Sequence, residues 1–204
     1  MSKISSEIES EKPKAKKNKF TIIALVTVFV LPVVLAKLAL ENDWFNKSAT
    51  NRGQLLAQPI DASTLLTQID KHEQGEKNTW KLMMTIPEVC DQACENAVLT
   101  ISQVRQAVGR HMERVDAVYL VTDESDASVL ANIKEKQLGI LLNQDNESVN
   151  NVFKNTGIDA IFITDTLHNV VLKYPNTPDT EQAIMDGRDV LADLRKLLKL
   201  SRIG

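Results

Sequence analysis

Trp80-Lys81-Leu82-Met83-Met84-Thr85-Ile86-Pro87-Glu88-Val89-Cys90-Asp91-Gln92-Ala93-Cys94 is the stretch on which the fold turns. Its first seven residues are apolar but for Lys81 and Thr85 and follow the turn-forming run Gln74-Gly75-Glu76-Lys77-Asn78, so they read as a β-strand. Pro87 lacks a backbone donor and stops it. Cys90 and Cys94 come next, and no other cysteine occurs in the chain. A helix is then predicted from about Asp91 to His111, because Val98, Ile101, Val104, Val108 and Met112 recur at spacings of three and four. Reactive groups at the carboxyl end of a strand fit the general rule for open α/β sheets.

The rest of the C-terminal part extends this unit. Val115–Thr122 reads as a second strand, residues 124–137 as a polar helix, and Leu138–Leu142 as a short strand. Glu147–Thr156 reads as a short helix closed by Gly157. Ile158–Thr164 and Val170–Tyr174 are strands joined by the hairpin Asp165-Thr166-Leu167-His168-Asn169. A last helix is predicted over Asp189–Ser201, with the stripe Val190, Leu191, Leu194, Leu197 and Leu198. This order implies an α/β fold, a mixed sheet with helices on both faces.

Working toward the N-terminus, residues 41–78 read as a stalk and linker, with a short extended piece around Leu55–Ile60. Before them, Phe20–Ala36 is seventeen residues without a charge, and Leu38-Ala39-Leu40 continues the run beyond Lys37. A helix over 20–40 spans roughly 31 Å, close to a bilayer's hydrocarbon thickness. Lys37 is near its end, where the stem can snorkel, and Pro32 is tolerable in a membrane helix. A cleaved signal peptide has a shorter apolar core and a small-x-small site; here Lys37 occupies the small-residue position. A retained anchor is therefore expected. Lys12, Lys14, Lys16, Lys17 and Lys19 precede it, with no acid among residues 12–19. The positive-inside rule then puts residues 1–19, read as a disordered tail, in the cytoplasm and the rest across the membrane. The lipid bilayer is thus one expected partner. The formal net charge of −3 offers no basic footprint for nucleic acid.

The C-x-x-x-C pair admits several chemistries. A helix start favours the thiolate, the form that attacks disulfides and binds metals. Glu88 and Asp91 would oppose that effect by raising a thiol's pKa; they also read as a lure for a cation or, more simply, as solvated loop charges. Two fully helical residues at i and i+4 hold their Cβ atoms about 5–6 Å apart, whereas a disulfide needs about 3.5–4.5 Å. Closure is easy only if Cys90 lies in the loop before the helix. Two thiolates also suit a soft ion such as Cu(I). Of the candidate third ligands, His72 reads as a solvated linker residue and His111 as a helix C-terminal partner of the dipole. His168 sits on a hairpin tip away from the thiols. Met83 and Met84 alternate across a strand, so one of them faces the core.

The single anchor, the strand–C-x-x-x-C–helix unit and Ile161-Phe162-Ile163-Thr164-Asp165 resemble the Sco family of membrane-anchored, thioredoxin-like proteins that help mature the copper site of cytochrome c oxidase. Trp80-Lys81-Leu82, Arg105-Gln106-Ala107-Val108-Gly109, Arg114-Val115 and the ending from Asp193 to Gly204 are closer to proteobacterial inner-membrane Sco-like proteins associated with that oxidase. The resemblance implies a thioredoxin-like domain over 79–204, tethered by the 20–40 helix to a bacterial inner membrane, with the domain in the periplasm. It implies that Cys90 and Cys94 are the redox-active and copper-binding thiols, with Cu(I) as the metal. The implied partner is an oxidase subunit or its assembly machinery. The family's prolines after each cysteine are replaced by Asp91 and Glu95, and Gly157-Ile158-Asp159 stands where its distal histidine and the thioredoxin cis-proline would fall. The expected function is an accessory role in oxidase assembly, by Cu(I) handling or reduction of partner thiols. A tethered thiol–disulfide oxidoreductase and a non-catalytic thioredoxin-like interaction module are the alternatives.

Overall fold

In a computed structural model of the chain, residues 16–41, 51–66 and 78–201 are described. Two units separate, Met1–Ser48 and Ala49–Gly204. The first holds α1, Lys16–Glu41, whose span Lys19–Ala39 is long and apolar enough to cross a membrane. Apart from Ala39 its described apolar side chains are exposed around the helix, so it has no core-facing stripe of its own. Thr27 satisfies its hydroxyl by donating to Ile23 O at 2.8 Å, one turn back. Of the tail expected to be disordered, residues 1–19, positions 16–19 are helical as the start of α1; residues 1–15 lie outside the described residues, as do 42–50 and 67–77 of the expected stalk and linker, with His72.

The second unit is a six-stranded mixed sheet. Its elements are β1 Gln54–Asp61, α2 Ser63–Leu66, β2 Trp80–Thr85, α3 Gln92–Ala107, a 3-10 turn Gly109–Arg114, and β3 Val115–Val121. Then follow α4 Ala127–Glu135, β4 Ile140–Asn143, α5 Asn146–Val152, β5 Ala160–Thr164, β6 Asn169–Pro175 and α6 Thr180–Leu200. The strand order is β1-β6-β5-β2-β3-β4. β2, β3 and β4 run parallel, while β5 is antiparallel to β2 and to β6, and β6 to β1.

Helices cover both faces, as the element order implied. Leu82, Met84, Ala117, Tyr119, Ile161 and Ile163 pack with Ile101, Val104, Ile133, Val190 and Leu194 of α3, α4 and α6. On the other face Met83, Val118, Leu120, Phe162 and Val170 meet Leu65 and Leu66 of α2, Val149 of α5 and Phe153 just after it. The Phe153 and Phe162 rings stack with centroids 4.7 Å apart. Period-two alternation therefore sends Met83 and Met84 into two different cores, and both are buried. The strand is buried at every position because it is internal and covered on both sides.

Three boundaries differ from expectation. The sheet reaches back into the stretch expected as stalk and linker, since β1 pairs with β6 at the edge and α2 caps one core. This start is held by Asp193 of α6. Its Oδ2 accepts from Arg52 N at 2.7 Å, Gly53 N at 2.9 Å and the Tyr174 hydroxyl at 2.7 Å. α3 ends before His111, because Gly109 adopts φ +65°, a conformation that glycine takes without strain. Met112 falls in the 3-10 turn, off the stripe, and is 38% exposed. α6 begins nine residues earlier than its leucine stripe suggested, capped by Asp179, whose side chain accepts from Gln182 N at 2.9 Å.

Candidate functional site

The cysteines sit where β2 gives way to α3. The crossing is knitted to the neighbouring parallel strand: Ile86 N donates to Leu120 O at 2.9 Å, and the Ser125 hydroxyl donates to Ile86 O at 2.7 Å. Asp126 N donates to Pro87 O at 2.9 Å. The loop after β3 thus fixes the loop that carries Cys90.

Cys90 and Cys94 are joined by a disulfide, with Cα atoms 5.2 Å apart, inside the usual range for such bonds. Cys90 precedes the helix, whose N-cap is Asp91, so the alternative that permits closure is the one realised. The two cysteines differ in access. Cys94, on the first turn of α3, is 3% exposed, whereas Cys90 is half-buried next to the strongly exposed Val89. The described residues contain no free cysteine.

Each half-cystine hangs from a carboxylate. The Cys94 backbone N–H donates to Asp91 Oδ1 at 3.0 Å, and the Cys90 N–H to Asp126 Oδ2 at 3.1 Å. Asp126 is also the N-cap of α4, its Oδ1 accepting from Ser128 N and Oγ at 2.9 and 2.7 Å. The Ser128 hydroxyl first, and the Cys90 N–H after it, hold the Asp126 carboxyl below its ordinary range. Asp126 was not among the sequence candidates. It is 36 residues from Cys90, and only the parallel pairing of β2 with β3 brings it there. Its own role as a cap was legible as Asp before a helical run, but not its second bond.

The two described histidines are elsewhere. Register pairs Lys81 with Thr164 and Ala160 with Pro175, so the β5–β6 hairpin holding His168 is at the sheet edge opposite Thr85 and the disulfide. His111, between α3 and β3, is at that opposite edge too. Among the described residues no three His, Cys, Asp or Glu side chains are grouped to hold a metal ion. The copper that the Sco resemblance implied asks for two free thiolates and a third ligand. Among the described residues this donor set, two sulfurs bonded to each other and the imidazoles of His111 and His168 at the far edge, does not fit it.

Residues 80–201 match the family model described as transmembrane-like, thioredoxin-like, C-terminal domain. No curated protein matches the chain. Among solved structures, the thioredoxin domain of a thiol-disulfide oxidoreductase from Bacteroides vulgatus is 14% identical, covering 59% of this chain and 80% of its own, with a TM-score of 0.43. A thiol:disulfide interchange protein from Bacteroides sp. is 14% identical, covering 74% and 91%, at 0.44. Copper-bound ScoI from Bradyrhizobium japonicum is 18% identical, covering 55% and 85%, at 0.38. The likeness at these identities extends no further than the fold.

Proposed function

The chain belongs to the transmembrane-like, thioredoxin-like C-terminal domain family, and on that premise we propose that its Cys90–Cys94 pair exchanges disulfides with a partner protein while α1 holds the chain on a membrane. The observation that carries this is the asymmetry of the pair: one cysteine half-buried in a loop, the other buried on the first turn of a helix. Such an arrangement suits sequential exchange. From the dithiol state, the Cys90 thiolate attacks a partner disulfide, forming a mixed disulfide and releasing one partner thiol. Cys94 loses its proton, attacks the Cys90 sulfur, closes the bond present in this structure and releases the second partner thiol. Two electrons and two protons pass to the partner, and the same steps reversed would oxidise it.

The charge asymmetry around α1 supports a cytoplasmic tail and an exported domain, and with the Sco-like resemblance a bacterial inner membrane and periplasm, where a disulfide persists. The resemblance also supports an oxidase subunit or its assembly machinery as the partner. Copper handling would need a reduced pair and a third donor from another molecule, and nothing in the site favours it.

Trapping tests the function. In the full chain, Cys94→Ser should accumulate a mixed disulfide through Cys90, and Cys90→Ser should not. Equal trapping by both variants, or by neither, refutes sequential exchange at this pair. In cells, the double Cys→Ser variant should impair oxidase assembly; normal assembly would leave the domain as an interaction module.

A further inference from the structure

We infer that Asp91 and Asp126 are positioning residues that set the direction of electron flow, making Cys90–Cys94 a donor of electrons to partner disulfides. The inference rests on the thiol–disulfide function proposed above and adds its polarity. A thiolate at a loop-to-helix junction is ordinarily stabilised by the open N–H groups and the positive end of the helix dipole. Here the Cys94 N–H already donates to Asp91 Oδ1, and the Cys90 N–H to Asp126 Oδ2. The helix terminus is capped by a negative charge, and a second negative charge is one hydrogen bond from the Cys90 backbone. Like charge disfavours the thiolate and raises the thiol pKa.

The cations at this end of the sheet, Lys154 and Lys173, belong to the 153–159 connection and to β6, and the Lys173 ammonium is engaged by Thr156 O. Residues 86–95 and 122–128, the two segments that meet at the disulfide, carry Glu88, Asp91, Glu95, Asp123, Glu124 and Asp126, and no Lys, Arg or His. Asp159, just before β5, adds a further acid at the same sheet edge. Asp126 keeps its charge well below neutral pH, since its hydrogen bonds hold the carboxyl down.

A strongly oxidising pair is one whose reduced form is stabilised. These carboxylates do the opposite, so the closed bond is favoured and the dithiol gives up its electrons. One partner disulfide is reduced to two thiols for each Cys90–Cys94 bond closed. The pair is then returned to the dithiol by a protein dithiol of lower potential.

The test uses the full chain in detergent with two readouts. The pH dependence of Cys90 alkylation reads thiol acidity, and equilibration with glutathione reads the redox balance. The wild type should show a midpoint above the ordinary value of about 8.5. Asp126→Asn should lower it by about one pH unit and move the glutathione equilibrium about tenfold toward the dithiol, or ~30 mV. Asp91→Asn keeps an oxygen for the Cys94 N–H and removes only charge, so it should shift both readouts the same way by less. It also stands in should Asp126→Asn fail to fold. A wild-type midpoint at or below the ordinary value overturns the inference, as do variants that change the melting temperature but neither readout. Failure to trap a partner while the alkylation midpoints behave as stated would instead count against the exchange function.

Discussion

The two edges of the sheet carry different chemistry. At the disulfide edge, the connections 86–91, 122–126, 144–145, 153–159 and 176–179 hold eight carboxylates (Glu88, Asp91, Asp123, Glu124, Asp126, Asp145, Asp159 and Asp179) against one cation, Lys154. At the opposite edge the described connections hold His111, His168, Arg110, Arg114 and Lys136 with only two carboxylates, Glu113 and Asp165. There Arg114 works structurally, its guanidinium donating to Leu198 O at 3.1 Å and Ser201 O at 3.0 Å, which ties the end of α6 to the start of β3. The sulfurs and the described imidazoles, His111 and His168, are thus kept a strand length apart, at least about 16 Å for a five-residue strand. One edge is built for thiol chemistry among carboxylates, the other for closing the fold.

The largest expected effect breaks the first edge outright. Cys90→Ser should abolish exchange with a disulfide peptide, whereas His168→Ala and His111→Ala should leave the rate unchanged. A histidine variant as damaging as the cysteine variant would erase the contrast between the edges.

Next in size are changes that attack the frame of each edge without touching sulfur. At the disulfide edge, removing Asp193 strands two backbone N–H groups and the Tyr174 hydroxyl. Asp193→Ala should cost about 3 kcal/mol in denaturant unfolding. Near the opposite edge, a Cβ on Gly139 would lie 2.5 Å from Ala117 O and 2.8 Å from the Tyr119 ring. Gly139→Ala should therefore destabilise by roughly 1–3 kcal/mol. Both should retain the alkylation profile of Cys90 at temperatures where they stay folded. A shifted profile would mean that the two kinds of chemistry are not separable.

The smallest effect is in acid. Asp126 and Asp145, both helix caps at the disulfide edge, have carboxyls held below the ordinary range, each largely by hydrogen bonds from the serine of its helix's first turn. A depressed folded-state pKa contributes stability that is present above the unfolded value and lost as pH falls through the folded one. Denaturation midpoints should therefore be flat near neutrality and fall below about pH 4. An Asp126→Asn, Asp145→Asn pair should fall less steeply, and an unchanged acid slope would deny these caps their charge.

Much of this was readable before any coordinates. Val98, Ile101, Val104 and Val108 declared α3, and Pro87 with the cysteines marked the junction. β1 was visible only as an extended piece, because a strand that pairs at an edge needs its partner β6 to be recognised as part of a sheet. The early start of α6 had a local signal, Asp179 three residues before Gln182, a capping pattern outweighed by the leucine stripe further on. Of the site, the cysteines and Asp91 were legible. Asp126 was not, since its bond to Cys90 is a product of strand pairing rather than of sequence neighbourhood. The same limit hid the full burial of Lys81, whose ammonium donates to Thr79 O at 3.1 Å.

The most direct test of the central claim is the reduction potential of Cys90–Cys94 in the full chain, equilibrated against glutathione and dithiothreitol. An exchanging pair with an acidic surround should fall at the reducing end of the catalytic range, near thioredoxin's value of about −270 mV. A potential far below about −300 mV, the range of structural bridges, would contradict the account and make the bond a staple.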